Sequence, residues 1–239
     1  MADGTPRAHK YGTIDKDYAI SLATCAPEDD GPIYMVNLMK YHEVAQYGEG
    51  GGPEGAISGR EADDRYNPAS ILSKIGATIV FAADVLDTHS GGDDWDRIAV
   101  VRYATRKSFI DMQSRRDFSE KHEHKAAGMK RTIIVCCRPE DLSLDERGRP
   151  QHVDGRFAAM VVRRGTERAS AFASLPGAVN FAAEGTIIGD GRSWDTVQFV
   201  AAASADGARA KAVAAGSAGV PGEAYAMSLR VSLDAITTG

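Results

Sequence analysis

The chain has 239 residues, 43% hydrophobic and 26% charged, with a formal net charge of −5 and a pI near 5.7. An acidic balance without a basic run argues against nucleic acid or an anionic membrane as partner. No apolar stretch approaches the roughly 20 residues of a membrane helix.

The N-terminus lacks the apolar core of a signal peptide. The three cysteines, Cys25, Cys136 and Cys137, are odd in number and two are adjacent, which suits a reducing compartment. These features predict a cytoplasmic protein.

In chain order, residues 1–30 read as an extension with a short helix at 15–26. Residues 32–41 (PIYMVNLMKY) read as a strand. A long glycine-rich loop follows, containing His42, Tyr47 and the Gly50–Gly52 run. Residues 60–76 predict a helix in two pieces, with Asn67 as cap, Pro68 at its first position and Gly76 just past its end. Strands at 77–89 and 95–104 flank the turn SGGDD. A helix starts at a Thr105 cap, polar helical sequence runs to residue 128, and a strand closes the half at 130–139.

Residues 140–155 are charged, bracketed by Pro and Gly, and read as a linker. Thereafter the same order returns in fewer residues, and one echo is explicit. Phe-Ala-Ala-acid runs start at Phe81 and Phe181, an offset of 181 − 81 = 100. Trp-Asp pairs start at Trp95 and Trp194, an offset of 194 − 95 = 99. Two βαββαβ units are expected, at 31–139 and 156–239, each the split-βαβ, ferredoxin-like motif. An antiparallel sheet with helices on one face must cover the other. The expected fold is therefore α+β, with two tandem ferredoxin-like sheets packed face to face.

The blocks YMVNLMKY, SGREADDRY, WDRIAVVRYATRKSFIDM and HKAAGMKRTIIVCCRP resemble the dimeric α/β-barrel superfamily. Within it they are most similar to the uncharacterised DUF1330-like family, here as a tandem repeat. The resemblance covers residues 33–139; the second half shares only element order and the hairpin echo. It implies a barrel with a small-molecule site and leaves the chemistry open.

Several residues are candidates for that chemistry. Asn37 interrupts an apolar strand, and period-2 alternation puts it on one face with Met35 and Met39. It reads as a donor orienting substrate in the barrel interior, or as a side chain bonded to neighbouring backbone. His124 matches the family's His block and is a natural proton carrier; His122 is a weaker candidate. A solvated helix face is the competing reading for both. Analogy with the family strand turns Arg102 inward, where it would bind an acid or enolate oxygen.

Tyr47 and His42, on the loop, and Tyr66, on the first helix, complete the expected substrate contacts. The loop itself is either a lid or a disordered insertion. Tyr66 and Arg60 also suit purely structural roles, and Trp95 and Trp194 are expected at the barrel rim. The main pocket is expected in the first half, because the second is alanine-rich.

No zinc spacing, dinucleotide fingerprint or Ser-His-Asp signature occurs. The expected function is metal-independent acid–base chemistry on a carbonyl or unsaturated small molecule, without a cofactor: isomerisation, cyclisation, dehydration or cofactor-free oxygenation. The alternatives are a non-catalytic ligand-binding or stress-related protein and a haem-binding member of the superfamily. The reading leaves a homodimer open.

Overall fold

The computed structural model describes residues 11–49, 51–113, 115–147, 150–220 and 222–237. The leading segment forms β1 (Thr13–Ile14) and α1 (Lys16–Ala23), the latter started by Asp15, whose carboxylate accepts from the Tyr18 amide. The first half continues with β2 (Ile33–Tyr41), α2 (Gly59–Tyr66), α3 (Ala69–Lys74), β3 (Thr78–Ser90), β4 (Arg97–Tyr103), α4 (Arg106–Gln113), α5 (Arg116–Gly128) and β5 (Met129–Pro139). The second half has β6 (Gln151–Arg164), α6 (Arg168–Ala173), β7 (Val179–Gly189), β8 (Thr196–Ala202), α7 (Ala205–Gly216) and β9 (Glu223–Asp234).

The helix comes in two pieces, as the sequence predicts. Asn67 lies between α2 and α3 at φ +24°, and its side-chain oxygen accepts from the Ala69 amide, although Pro68 occupies the cap position of α3. One detail differs from the sequence reading. Part of the stretch read as a linker is structured. It holds a 3-10 turn at Leu142–Glu146, and Gln151 and His152 already pair with Asp234 and Leu233 as the start of β6. The Thr105 cap is present, its hydroxyl accepting from the Ser108 amide.

The strands close an eight-stranded antiparallel barrel in the order β7-β5-β2-β4-β3-β9-β6-β8, with β8 pairing back to β7 and β1 flanking β7. The sheets of the two halves do more than face each other. They are hydrogen-bonded along both edges, β3 to β9 and β5 to β7, so each edge strand is paired.

The lumen is filled. Tyr34, Val36 and Leu38 of β2 point into it, with Phe81, Phe181 and Phe199 packed at its centre. Phe199 lies 4.9 Å from Phe81 and 6.0 Å from Phe181 between ring centroids. One end is closed by Trp95, Trp194 and Tyr225, with Arg131 over Trp95 and Arg192 over Trp194. Asp93, in the turn before Trp95, ties both arginines and the Tyr225 hydroxyl together. The other end is closed by Leu144 of the 3-10 turn. No helix among the described residues is long and apolar enough to cross a membrane.

Candidate functional site

β2 is apolar on both faces, so its sequence could not say which face is lumen. The structure turns Tyr34, Val36 and Leu38 inward, and Ile33, Met35, Asn37 and Met39 outward beneath the helices. This corrects the expectation that Asn37 sits in the barrel interior. A cavity of about 1420 Å³ occupies the space on the helix side, and no lumen residue lines it. Its floor is the outer face of β2, β4 and β5, and its roof is α2, α4 and α5. The second half contributes Ile187 and Ile188 at one edge, so the cavity belongs chiefly to the first half, as the sequence predicts.

Asn37 is held by its amide nitrogen, which donates to the Met35 carbonyl at 2.9 Å and the Ala99 carbonyl at 3.4 Å. Both the backbone-bonded reading and the cavity-facing one therefore describe this side chain. The two carbonyls fix the amide's orientation and leave Oδ1 as the atom it can offer a ligand. Met35 and Met39 flank it, and Tyr66 and Tyr103 add aromatic wall. Burial raises the proton affinity of both phenols, so they stay neutral donors at ordinary pH.

α5 carries the polar wall. His122 and Lys125 stand at i and i+3 and both line the cavity. His122 Nε2 lies 2.8 Å from the hydroxyl of Tyr11, which comes from the leading segment and whose proton affinity burial also raises. The Lys125 amine sits 5.4 Å from the Tyr66 ring centroid. Burial lowers its proton affinity, and the nearby Asp63 carboxylate partly offsets this. Asp63 accepts from the Tyr41 hydroxyl at 2.6 Å and faces Arg97, whose main partner is Asp64 at 2.8 Å.

His124 is elsewhere. It is absent from the cavity lining, and its Nδ1 lies 2.7 Å from the hydroxyl of Tyr47, which does line the cavity. Histidines two apart on a helix point different ways, and here His122 has the inward one. Arg102 does face the lumen side of β4, but at the barrel end. There it makes a bidentate pair with Asp145 at 2.7 and 2.6 Å, and Asp145 also accepts from Tyr34. Asn37, Arg102 and His124 are thus not brought together; Asn37 and Arg102 lie on opposite faces of the sheet.

His42 lies outside the cavity lining as well; its side chain meets Gln46 at 3.3 Å. Its backbone pins the loop, its amide donating to the Gly128 carbonyl and its carbonyl accepting from Gly59. At that crossing of α2 and α5 a Cβ on Gly59 or Gly128 would strike the other's carbonyl, so both positions require glycine. The Gln46 amide donates to the Ala127 carbonyl and the Ala45 amide to that of Ile57, so the described part of the loop is hydrogen-bonded in place. Gly50 lies outside the described residues.

The sequence reading missed Tyr11, Lys125, Asp63, Arg97 and Tyr103. For Lys125 a signal existed, because it is one helical turn after His122. Among the described residues no group of three or more His, Cys, Asp or Glu could hold a metal ion. Cys136 and Cys137 are buried in β5. Burial pushes the Cys136 thiol up to about 12 and that of Cys137 well above its usual value, as suits inert packing.

No protein-family model and no curated protein matches the sequence. Among solved structures, an anthrone oxidase-like protein matches with a TM-score of 0.50 at 12% identity, over 85% of this chain and 92% of its own. A protein of unknown function from Rhodopseudomonas palustris matches with a TM-score of 0.43 at 21% identity, over 51% of this chain and 90% of its own. A protein provisionally named a monooxygenase, from Lactobacillus acidophilus, matches with a TM-score of 0.43 at 9% identity, over 85% and 96%. At 12% identity, the likeness to the anthrone oxidase-like protein is one of fold, and it supports an α+β barrel.

Proposed function

We propose that the protein is a small-molecule enzyme that performs metal-independent acid–base chemistry on a carbonyl or unsaturated compound in the first-half cavity. The observation that carries this reading is the Tyr11–His122 pair, 2.8 Å apart in the wall of a mainly apolar space. An imidazole can take or give a proton near neutral pH. A phenol kept neutral by burial can hold the ring's tautomer or relay its proton. Exclusion of water strengthens both interactions. Isomerisation, cyclisation, dehydration and cofactor-free oxygenation share a first step of this kind, proton removal from an acidic C–H or O–H group. The name of one fold neighbour, an anthrone oxidase-like protein, is in keeping with oxygenation among these.

We also propose that the chain is a tandem repeat whose first half is related to the DUF1330-like family. Each half gives the strand order fourth-first-third-second, as β5-β2-β4-β3 and β9-β6-β8-β7, which supports a duplicated split-βαβ unit.

The test is proton exchange. The protein would be incubated in D2O with 2-tetralone, an enolisable ketone of modest size, and loss of the α-proton signal followed by NMR. Exchange faster than in buffer is the expected result. Binding of the ketone without faster exchange would instead make the chain a ligand-binding protein.

A further inference from the structure

The described lysines differ in their surroundings. Lys40 is paired with Asp94 and Asp96, and Lys107 with Asp111. Lys125 makes no ion pair among the described residues, although it is drawn off the surface into the cavity wall. Its neighbours there are the Tyr66 ring, the carboxylate of Asp63 and, one helical turn earlier, the imidazole of His122. A lysine that only needed to be accommodated would find solvent within reach of its flexible stem. Here the amine borders an apolar floor with a proton carrier on the same helix face.

We propose that Lys125 is a nucleophile that forms an imine with the carbonyl carbon of the substrate, which narrows the substrate class to aldehydes and ketones. This rests on the reading of the cavity as a catalytic site. The step balances without an oxidant or reductant. The Nζ lone pair attacks the carbonyl carbon and one N–H proton passes to the carbonyl oxygen, giving a neutral carbinolamine. A second proton, which protonated His122 is placed to give with Tyr11 as its partner, lets nitrogen expel that oxygen as water, and the product is a protonated imine. The imine withdraws electrons from the adjacent carbon, so its C–H proton can pass to His122 and leave an enamine; reprotonation and hydrolysis return the amine. Formation needs the neutral amine, and burial at this site favours it. Asp63 opposes this from α2, and Arg97, on β4, is engaged with the carboxylates of α2.

The experiment traps the intermediate on the intact chain. The protein is treated with 2-tetralone and sodium cyanoborohydride at neutral pH, and the reduced adduct is located by peptide mass mapping. Lys125 is expected to carry most of the adduct, ahead of every other lysine, because burial favours its neutral amine. Lys125→Arg keeps the cation beside Tyr66 but cannot form the imine, so it should lose both adduct and α-proton exchange while still binding tetralone in saturation-transfer NMR. Adducts spread evenly over surface lysines, or exchange that survives in Lys125→Arg, would overturn the imine and leave the acid–base reading standing. Failure of tetralone to bind the unmodified protein would overturn both.

Discussion

In the second half α7 lies directly on β6 and β9, whereas in the first α5 rests chiefly on α2 and stands off the sheet. The cause is side-chain size. α7 meets its strands through Ala208, Ala212 and Ala215, all fully buried. α5 presents His122 and Lys125 instead, and the space beneath them is the cavity.

The strands differ to match. The amide of Asp96 bonds the Met39 carbonyl, and that of Asp195 bonds the Arg163 carbonyl, so Arg163 stands where the first half has Met39. By the same register Gln198 stands where the first half has Ala99. Arg163 reaches Ser174 and the Ala215 carbonyl, and Gln198 reaches the Phe172 carbonyl and Asn180. These side chains fill the helix side of the second sheet, where the first sheet keeps its floor short and leaves room for a ligand.

The sharpest test of this asymmetry is at His122. If the first half's cavity is the reacting site, His122→Gln should lower the rate of α-proton exchange by about two to four powers of ten with the fold intact. Gln can hold the hydrogen bond to Tyr11 but cannot carry a proton. Exchange at the parent rate in this variant would remove the acid–base role.

Packing gives the next test. Arg163→Ala would leave a hole and remove the hydrogen bonds to Ser174 and the Ala215 carbonyl, and should cost about 2–4 kcal/mol in denaturant unfolding. Met39→Ala, at the matching position, only enlarges an existing cavity and should cost about 1 kcal/mol less or better. Equal losses would mean that the two halves are packed alike.

Much of the fold was legible from hydrophobic period. Element type followed from runs such as IYMVNLMKY, and the Phe81 and Phe181 runs lie in β3 and β7, which pair with β4 and β8. The site was less legible, for three physical reasons. A strand buried on both faces has no polar side to mark the outside, so Asn37 was placed in the wrong space. Two histidines two residues apart cannot be ranked without the helix phase, which turns His122 inward and His124 toward Tyr47. Tyr11 reaches the cavity from a segment far away in sequence, and nothing local signals such an approach. Arg102 shows a fourth limit: its strand face was read correctly, but its partner, Asp145, lies in a stretch read as linker.

Arg102 also separates barrel closure from the cavity. Its side chain and that of Asp145 are about three-quarters buried, at 25% and 26% exposed. Arg102→Ala should cost about 1–2 kcal/mol at neutral pH and leave exchange unchanged, because the pair closes the barrel end. Hydrogen bonding to Arg102 holds the Asp145 carboxyl below its usual range. A depressed folded-state value stabilises above the unfolded carboxyl's pKa of about 3.9 and is lost as pH falls through the folded value. The stability gap between parent and variant should therefore hold at neutral pH and close below about pH 4. A gap that persists at lower pH would show that the loss is one of packing.

The smallest expected effect is at His124, which the family resemblance made a candidate for catalysis against a solvated helix face. Its contact is the Tyr47 hydroxyl at 2.7 Å, and Tyr47 belongs to the loop at the cavity edge. Both groups are half-buried. A hydrogen bond of this kind contributes about 0.5–1.5 kcal/mol net, so His124→Ala should raise KM by roughly two- to tenfold and leave kcat near the parent value. His124→Gln, which can still bond Tyr47, should recover most of that loss. The pattern in KM and kcat is what separates the two histidines of α5. A residue that positions the loop changes the affinity for substrate, whereas one that carries the proton changes the rate of the bound complex. If kcat in His124→Gln fell as far as in His122→Gln, the proton would have to travel through Tyr47 and His124, and the cavity's working edge would be the loop rather than the Tyr11 side.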